Sequence, residues 1–173
     1  GIDTCIAFNI SALSLQHLDF PDLVERLCNG LGVPPDRLVL ELTEGATQPL
    51  ITLMDTLTRF RIKGIGLAID DFGTGYSSLM LLRQLPFTEV KIDRAFVTEL
   101  RQDGSGSAVA AAIMHMARTL NLITAAEGVE ADLADEIACL RALRLARDPE
   151  ARDGALVLGA QHLGVVVGVD AAH

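Results

Sequence analysis

The sequence predicts an α/β fold organised around a parallel sheet, and three observations lead there. Short apolar runs alternate with amphipathic stretches along most of the 173 residues. Five such β-then-α pairs follow one another without a break, which in a single sheet implies parallel strands joined by right-handed crossovers. The runs are apolar on both faces until their last positions, as strands covered by helices should be.

The elements can be justified in order. CIAFNIS, at residues 5–11, is the first strand. FPDLVERLCNGLG, at 20–32, has proline early and glycine late, as helices prefer. RLVLELTE, at 37–44, is the second strand, and PLITLMDTLTRFRIKG, at 49–64, repeats apolar residues at helical spacing. IGLAIDDFG, at 65–73, is the third strand, with SSLMLLRQL as its helix. EVKID, at 89–93, precedes a helix around SAVAAAIMHMARTLN. LITAAEGVE, at 122–130, precedes ADLADEIACLRALRL. Residues 1–146 therefore read as one domain. After residue 146 the character changes to charge and Gly/Pro punctuation, then a Gly/Val-rich run, so 147–173 reads as a divergent tail. That tail supplies one strand, from GALVLGA or GVVVGV, or lacks regular structure.

Half the residues are apolar, enough for a sizeable core. A net charge of −9 with no basic run argues against nucleic acid and anionic membranes as partners. No apolar stretch reaches the roughly 18 residues of a membrane span. The opening GIDTCIAFNIS has no basic n-region and no Met, which reads as an excised piece without a signal peptide. Cys5, Cys28 and Cys139 form no CxxC pair, which points to reduced thiols and a cytoplasmic location.

The most informative feature is positional. Each strand ends in a polar residue: Asn9, then Glu41, then the adjacent Asp70 and Asp71, then Lys91, then Glu127. Parallel α/β folds gather strand C-termini on one face, where their chemistry sits. Carboxylates crowded there would raise one another's pKa unless a cation intervened. Oxygen-only donors suit a hard ion such as Mg²⁺ or Mn²⁺ rather than Zn²⁺. Successive strand residues diverge in direction, so Asp70 and Asp71 can serve two ions. A two-ion site is a phosphate-ester device. Bland readings stand beside this one. Asp71 before FGTGYSS is a turn former, Lys91 a surface lysine with a packed stem, and Glu130 a helix-start acid. Four histidines, at 17, 115, 162 and 173, show no ligand spacing. His115 reads as a packed helix residue, with Met114 and Met116 in or near the core.

FNISALSL, LVLELTE, IDDFGTGYSSL, VKID and AAEGVE occur in that order over residues 5–143. Together they resemble the EAL-domain phosphodiesterases of bacterial cyclic di-GMP signalling. The resemblance implies a TIM-type (β/α)₈ barrel that hydrolyses one phosphodiester bond of cyclic di-GMP with Mg²⁺ or Mn²⁺. It implies that Asn9 and Glu41 are metal ligands, that Asp70 is shared by two ions, and that Asp71 ligates the second. Lys91 resembles the lysine that holds the attacking water or neutralises phosphate charge. Glu127 resembles the glutamate that ligates metal or assists as base. Glu44 resembles the residue anchoring the DFGTGYSS loop, which couples dimerisation to metal binding. Glu130 is assigned to substrate binding.

Two departures accompany it. The Glu-Ala-Leu motif of the family's first strand is absent, and LRLARDPEARDG stands where a late Gln-Gly is expected, with Arg147 there. An eight-stranded barrel typically needs about 250 residues. The expectation is an incomplete barrel of five to six βα units, weak or inactive as it stands, associating with itself and belonging to a parent with a sensory or response-regulator domain. The competing function is a non-catalytic module that binds cyclic di-GMP or a protein. A third, a lyase or isomerase using Lys91 as a Schiff base, fits worse, because neighbouring carboxylates raise a lysine's pKa.

Overall fold

The computed structural model describes residues 5–11, 13–43, 49–73, 78–93, 95–96, 106–126, 156–159 and 165–168. The chain divides into two units, Gly1–Thr88 and Glu89–His173.

The first unit is a three-stranded parallel sheet with helices between its strands. Strand β1 is Cys5–Asn9, β2 is Leu38–Thr43 and β3 is Gly66–Phe72. Helix α1 is Phe20–Leu31, α2 is Leu50–Ile62 and α3 is Ser78–Gln84. Pro21 opens α1, where a missing amide costs nothing. Gly32, at φ 68°, closes it in the left-handed region that glycine enters freely. The Val33 amide then donates to the Cys28 carbonyl at 2.9 Å, completing a Schellman-type stop.

The core of this unit lies between α2 and the sheet. Leu53, Thr56, Leu57 and Phe60 recur at helical spacing along α2 and are buried. Helix α2 packs against β3, where Leu67 and Ile69 are buried on the same sheet face as their β2 partners Leu40 and Leu42. The rings of Phe20 and Phe60 pack edge to face, 5.5 Å between centroids. Thr56 meets its hydrogen-bonding need by donating to the Leu15 carbonyl at 3.3 Å. Outside the core, α1 and α2 are clamped by charge. Lys63 Nζ lies 2.8 Å from Asp22 and 2.6 Å from Glu25, and Arg59 lies 2.6 Å from Asp22. The Arg59 guanidinium also donates to the Leu18 carbonyl.

The second unit carries β4 (Glu89–Ile92), helix α4 (Gly106–Thr119), β5 (Ile123–Ala126), β6 (Leu156–Gly159) and β7 (Val165–Gly168). Strands β4, β5 and β6 are parallel, and β7 returns antiparallel to β6. Both tail segments proposed from sequence are thus strands, where a single one was expected.

Two expectations are corrected. Strand β1 is not covered on both faces: Phe8 is 50% exposed and Ile6 is 43% exposed. His115 is exposed rather than packed, because Ile113 and Ala117 take the buried side of α4. Met114 and Met116 flank that buried stripe and are half-buried, near the core as expected. The helix read in ADLADEIACLRALRL lies outside the described residues.

Candidate functional site

The strand register decides which polar residues share a surface. Asn9 is the direct partner of Glu41, and Glu41 is the direct partner of Ala68. Partners in a parallel ladder project to the same face, and a step of two residues along a strand returns to it. Asp70, two residues beyond Ala68, therefore stands on the face of Asn9 and Glu41. Leu40, Leu67 and Ile69 occupy the opposite, helix-covered face. The sheet itself thus delivers three residues, more than thirty and then sixty positions apart in sequence, to one end of one face.

The environment there is unusual for acids. Glu41 is 7% exposed and Asp70 8% exposed, while Asn9 is exposed. Buried carboxylates are rare unless hydrogen-bonded, paired or bound to metal. Two carboxylates and one amide carbonyl make an oxygen-only donor set, which fits a hard divalent cation. Among the described residues, no three or more His, Cys, Asp or Glu side chains group closely enough to hold a metal by themselves. A complete coordination shell therefore needs the Asn9 carbonyl, water, or residues beyond the described ones.

Asp71 breaks the strand rule. Its φ is 54°, in the left-handed region, and its amide donates to Asp70 Oδ1 at 3.0 Å. Asp71 is half-buried. In the second unit, Lys91 is half-buried on β4 and pairs with Ala125 of β5. Glu44, Glu127 and Glu130 lie outside the described residues.

One neighbour was missed from sequence. Thr43 is the direct partner of Asp70, on the same face, and is exposed. The signal was present, since Thr43 follows Glu41 by two residues in LELTE. An open groove of about 270 Å³ lies elsewhere in this unit, lined by Ser14, His17, Asp19, Phe20, Leu23 and Arg26. None of the strand-end residues lines it.

With this geometry in hand, comparison with known proteins is decisive. The profile described as "EAL domain" matches residues 1–144. This chain belongs to the EAL domain family. It is 42% identical over 135 residues to the bifunctional diguanylate cyclase/cyclic di-GMP phosphodiesterase MucR of Pseudomonas aeruginosa, covering 78% of this chain and 20% of that protein. The EAL domain of Mycobacterium smegmatis DcpA superimposes with a TM-score of 0.73 at 37% identity, over 80% of this chain and 62% of that one. Klebsiella pneumoniae BlrP1, solved as a manganese/cyclic di-GMP complex, gives a TM-score of 0.72 at 30% identity, over 80% of this chain and 36% of that one. The chain thus spans a fifth of MucR and under two thirds of the DcpA domain. The fold class of this EAL-family chain is the TIM-type (β/α) barrel, with fewer than the usual eight units.

Proposed function

We propose that this chain is the metal-binding part of a cyclic di-GMP phosphodiesterase domain, in a bacterial signalling protein. The observation that carries the reading is the register of Asn9, Glu41 and Asp70 on one sheet face, with both carboxylates buried. In this reading those three residues hold Mg²⁺ or Mn²⁺, with Asp71 and Glu127 completing a two-ion site. Bound there, such ions would supply positive charge toward a phosphodiester and lower the pKa of a water. Asp70 would serve both ions. Lys91 orients the water or neutralises phosphate charge, Glu44 anchors the loop after β3, and Glu130 contacts the substrate. The complexes of BlrP1 with manganese and of MucR with cyclic di-GMP support this choice of ion and ligand.

The domain 1–146, a tail from 147, self-association, a cytoplasmic location and a sensory or response-regulator partner domain belong to the same proposal. No helix among the described residues is long and apolar enough to cross a membrane. The experiment is one turnover assay with cyclic di-GMP and Mn²⁺ on the 173-residue chain, with and without a supplied first-strand segment. Hydrolysis to the linear dinucleotide that appears or rises with the segment supports the reading. Binding of cyclic di-GMP without hydrolysis under either condition would favour the non-catalytic module instead.

A further inference from the structure

The face that carries Asn9, Glu41 and Asp70 also carries a hydroxyl. Thr43, two residues beyond Glu41 on β2, is the direct ladder partner of Asp70. Both side chains therefore project to that face, from strands about 4.8 Å apart. Burial changes along it. Glu41 is 7% exposed and Asp70 8% exposed, whereas Thr43, the last residue of β2, is exposed. The hydroxyl thus stands where the acids meet solvent. Branching at Cβ limits its rotamers, so strand and register hold it in place. Thr56, Thr88 and Thr119 donate their hydroxyls to the carbonyls of Leu15, Leu67 and His115. The Thr43 hydroxyl has no such partner among the described residues.

We propose that Thr43 is a substrate-binding residue, its hydroxyl donating to a phosphodiester oxygen of cyclic di-GMP. This contact rests on the function proposed above and belongs to the same site. A phosphodiester is an anion, and the carboxylates of Glu41 and Asp70 repel it. A donor beside them has to favour the phosphate without competing with an ion for the acids. A lysine or arginine at position 43 would compete, because its charge pairs with carboxylates. A hydroxyl is neutral and offers a single O–H, which a charged phosphate oxygen accepts strongly. Threonine is also a common strand former, so binding has to be told apart from strand stability.

The test uses the 173-residue chain with Thr43→Val and Thr43→Ser. Valine keeps the branched shape that suits a strand, and serine keeps the hydroxyl. The first readout is calorimetric affinity for cyclic di-GMP in Ca²⁺, the ion of a BlrP1 complex with this nucleotide. The Val variant is expected to bind about 10–100-fold more weakly, the weight of a hydrogen bond to a charged group, and the Ser variant to stay within about threefold of the parent. The second readout is the melting temperature, and the third is affinity for Mn²⁺ without nucleotide. A Val variant that binds cyclic di-GMP as the parent does overturns the proposal and leaves the phosphodiesterase reading in place. If that variant also melts lower, Thr43 is structural. A Ser variant as weak as the Val variant overturns it too, because the hydroxyl is then not the cause. So does a Val variant that loses as much affinity for Mn²⁺ as for nucleotide, since the hydroxyl then acts on Asp70 and not on the substrate. A parent chain that binds no cyclic di-GMP overturns both the contact and the reading it rests on.

Discussion

Gly66, at the foot of β3, offers a sharp test of how tightly the site-bearing strands are packed. A Cβ added there would sit 3.1 Å from Val39 Cγ2, 3.2 Å from the Leu38 carbonyl oxygen and 3.6 Å from Thr88 Oγ1. The first two distances are shorter than ordinary contact, and the second partner is backbone. Leu38 and Val39 begin β2, and Val39 is the direct partner of Gly66. The Leu38 carbonyl therefore moves only if the ladder moves. Thr88 holds the other side: its hydroxyl donates to the Leu67 carbonyl at 3.0 Å and accepts from the Leu67 amide at 2.9 Å. Overpacking of this kind costs about 1–3 kcal/mol. Against it, Gly→Ala gains about 0.4–1 kcal/mol by restricting the unfolded chain. The balance is a destabilisation of about 1 kcal/mol, so the sign carries the information. With a urea slope of about 1–3 kcal/mol per molar, the midpoint of unfolding should fall by about 0.5 M. In a Val39→Ala background the cost of Gly66→Ala should shrink but not vanish, because the carbonyl contact remains. A midpoint that is unchanged or higher in the single variant would show that the strands have room to give, and the reasoning would be refuted.

Asp70→Asn should abolish hydrolysis of cyclic di-GMP while leaving the metal-free melting temperature within a few degrees of the parent, because it removes one of two buried acids on one face; a melting temperature many degrees lower would make Asp70 structural. The Asp22 carboxyl is held below its ordinary 3.8 by its hydrogen bond from Lys63 first and by Arg59 after it. A lowered carboxyl stabilises the fold above its unfolded value and loses that contribution as pH falls through the folded one. The stability gap between parent and Asp22→Asn should therefore close as the pH drops below 3.8, and a gap constant down to strong acid in urea titrations would contradict the clamp. Lys63 is raised above its ordinary 10.5, by its bonds to Asp22 and then Glu25, so its contribution is full below that value and fades at higher pH. The chain by itself should self-associate in light scattering and turn over cyclic di-GMP far below the enzyme median of about 10 per second. A monomer working at several turnovers per second would show that the further elements of a complete barrel are dispensable.

The sequence by itself determined the alternation of strands and helices and the placing of one polar residue at each strand end. These are local properties: apolar periodicity, proline and glycine at helix ends, and a polar residue closing an apolar run. Each strand among the described residues of 5–126 starts and stops within a few residues of where that pattern puts it. The tertiary structure alone decided the rest. Whether Asn9, Glu41 and Asp70 share a face depends on register, and a slip of one residue would send one of them to the helix-covered side. The burial of Glu41 and Asp70 depends on what surrounds the sheet, as does the exposure of Phe8 and of Leu23, Leu27 and Leu31 along α1. Periodicity marks an apolar stripe but not whether anything lies against it. The φ of Asp71 is the clearest case, since two adjacent aspartates read alike in a sequence. Only the fold turns Asp71 to φ 54° and sets its amide to donate to Asp70 Oδ1, at the end of the β2–β3 ladder.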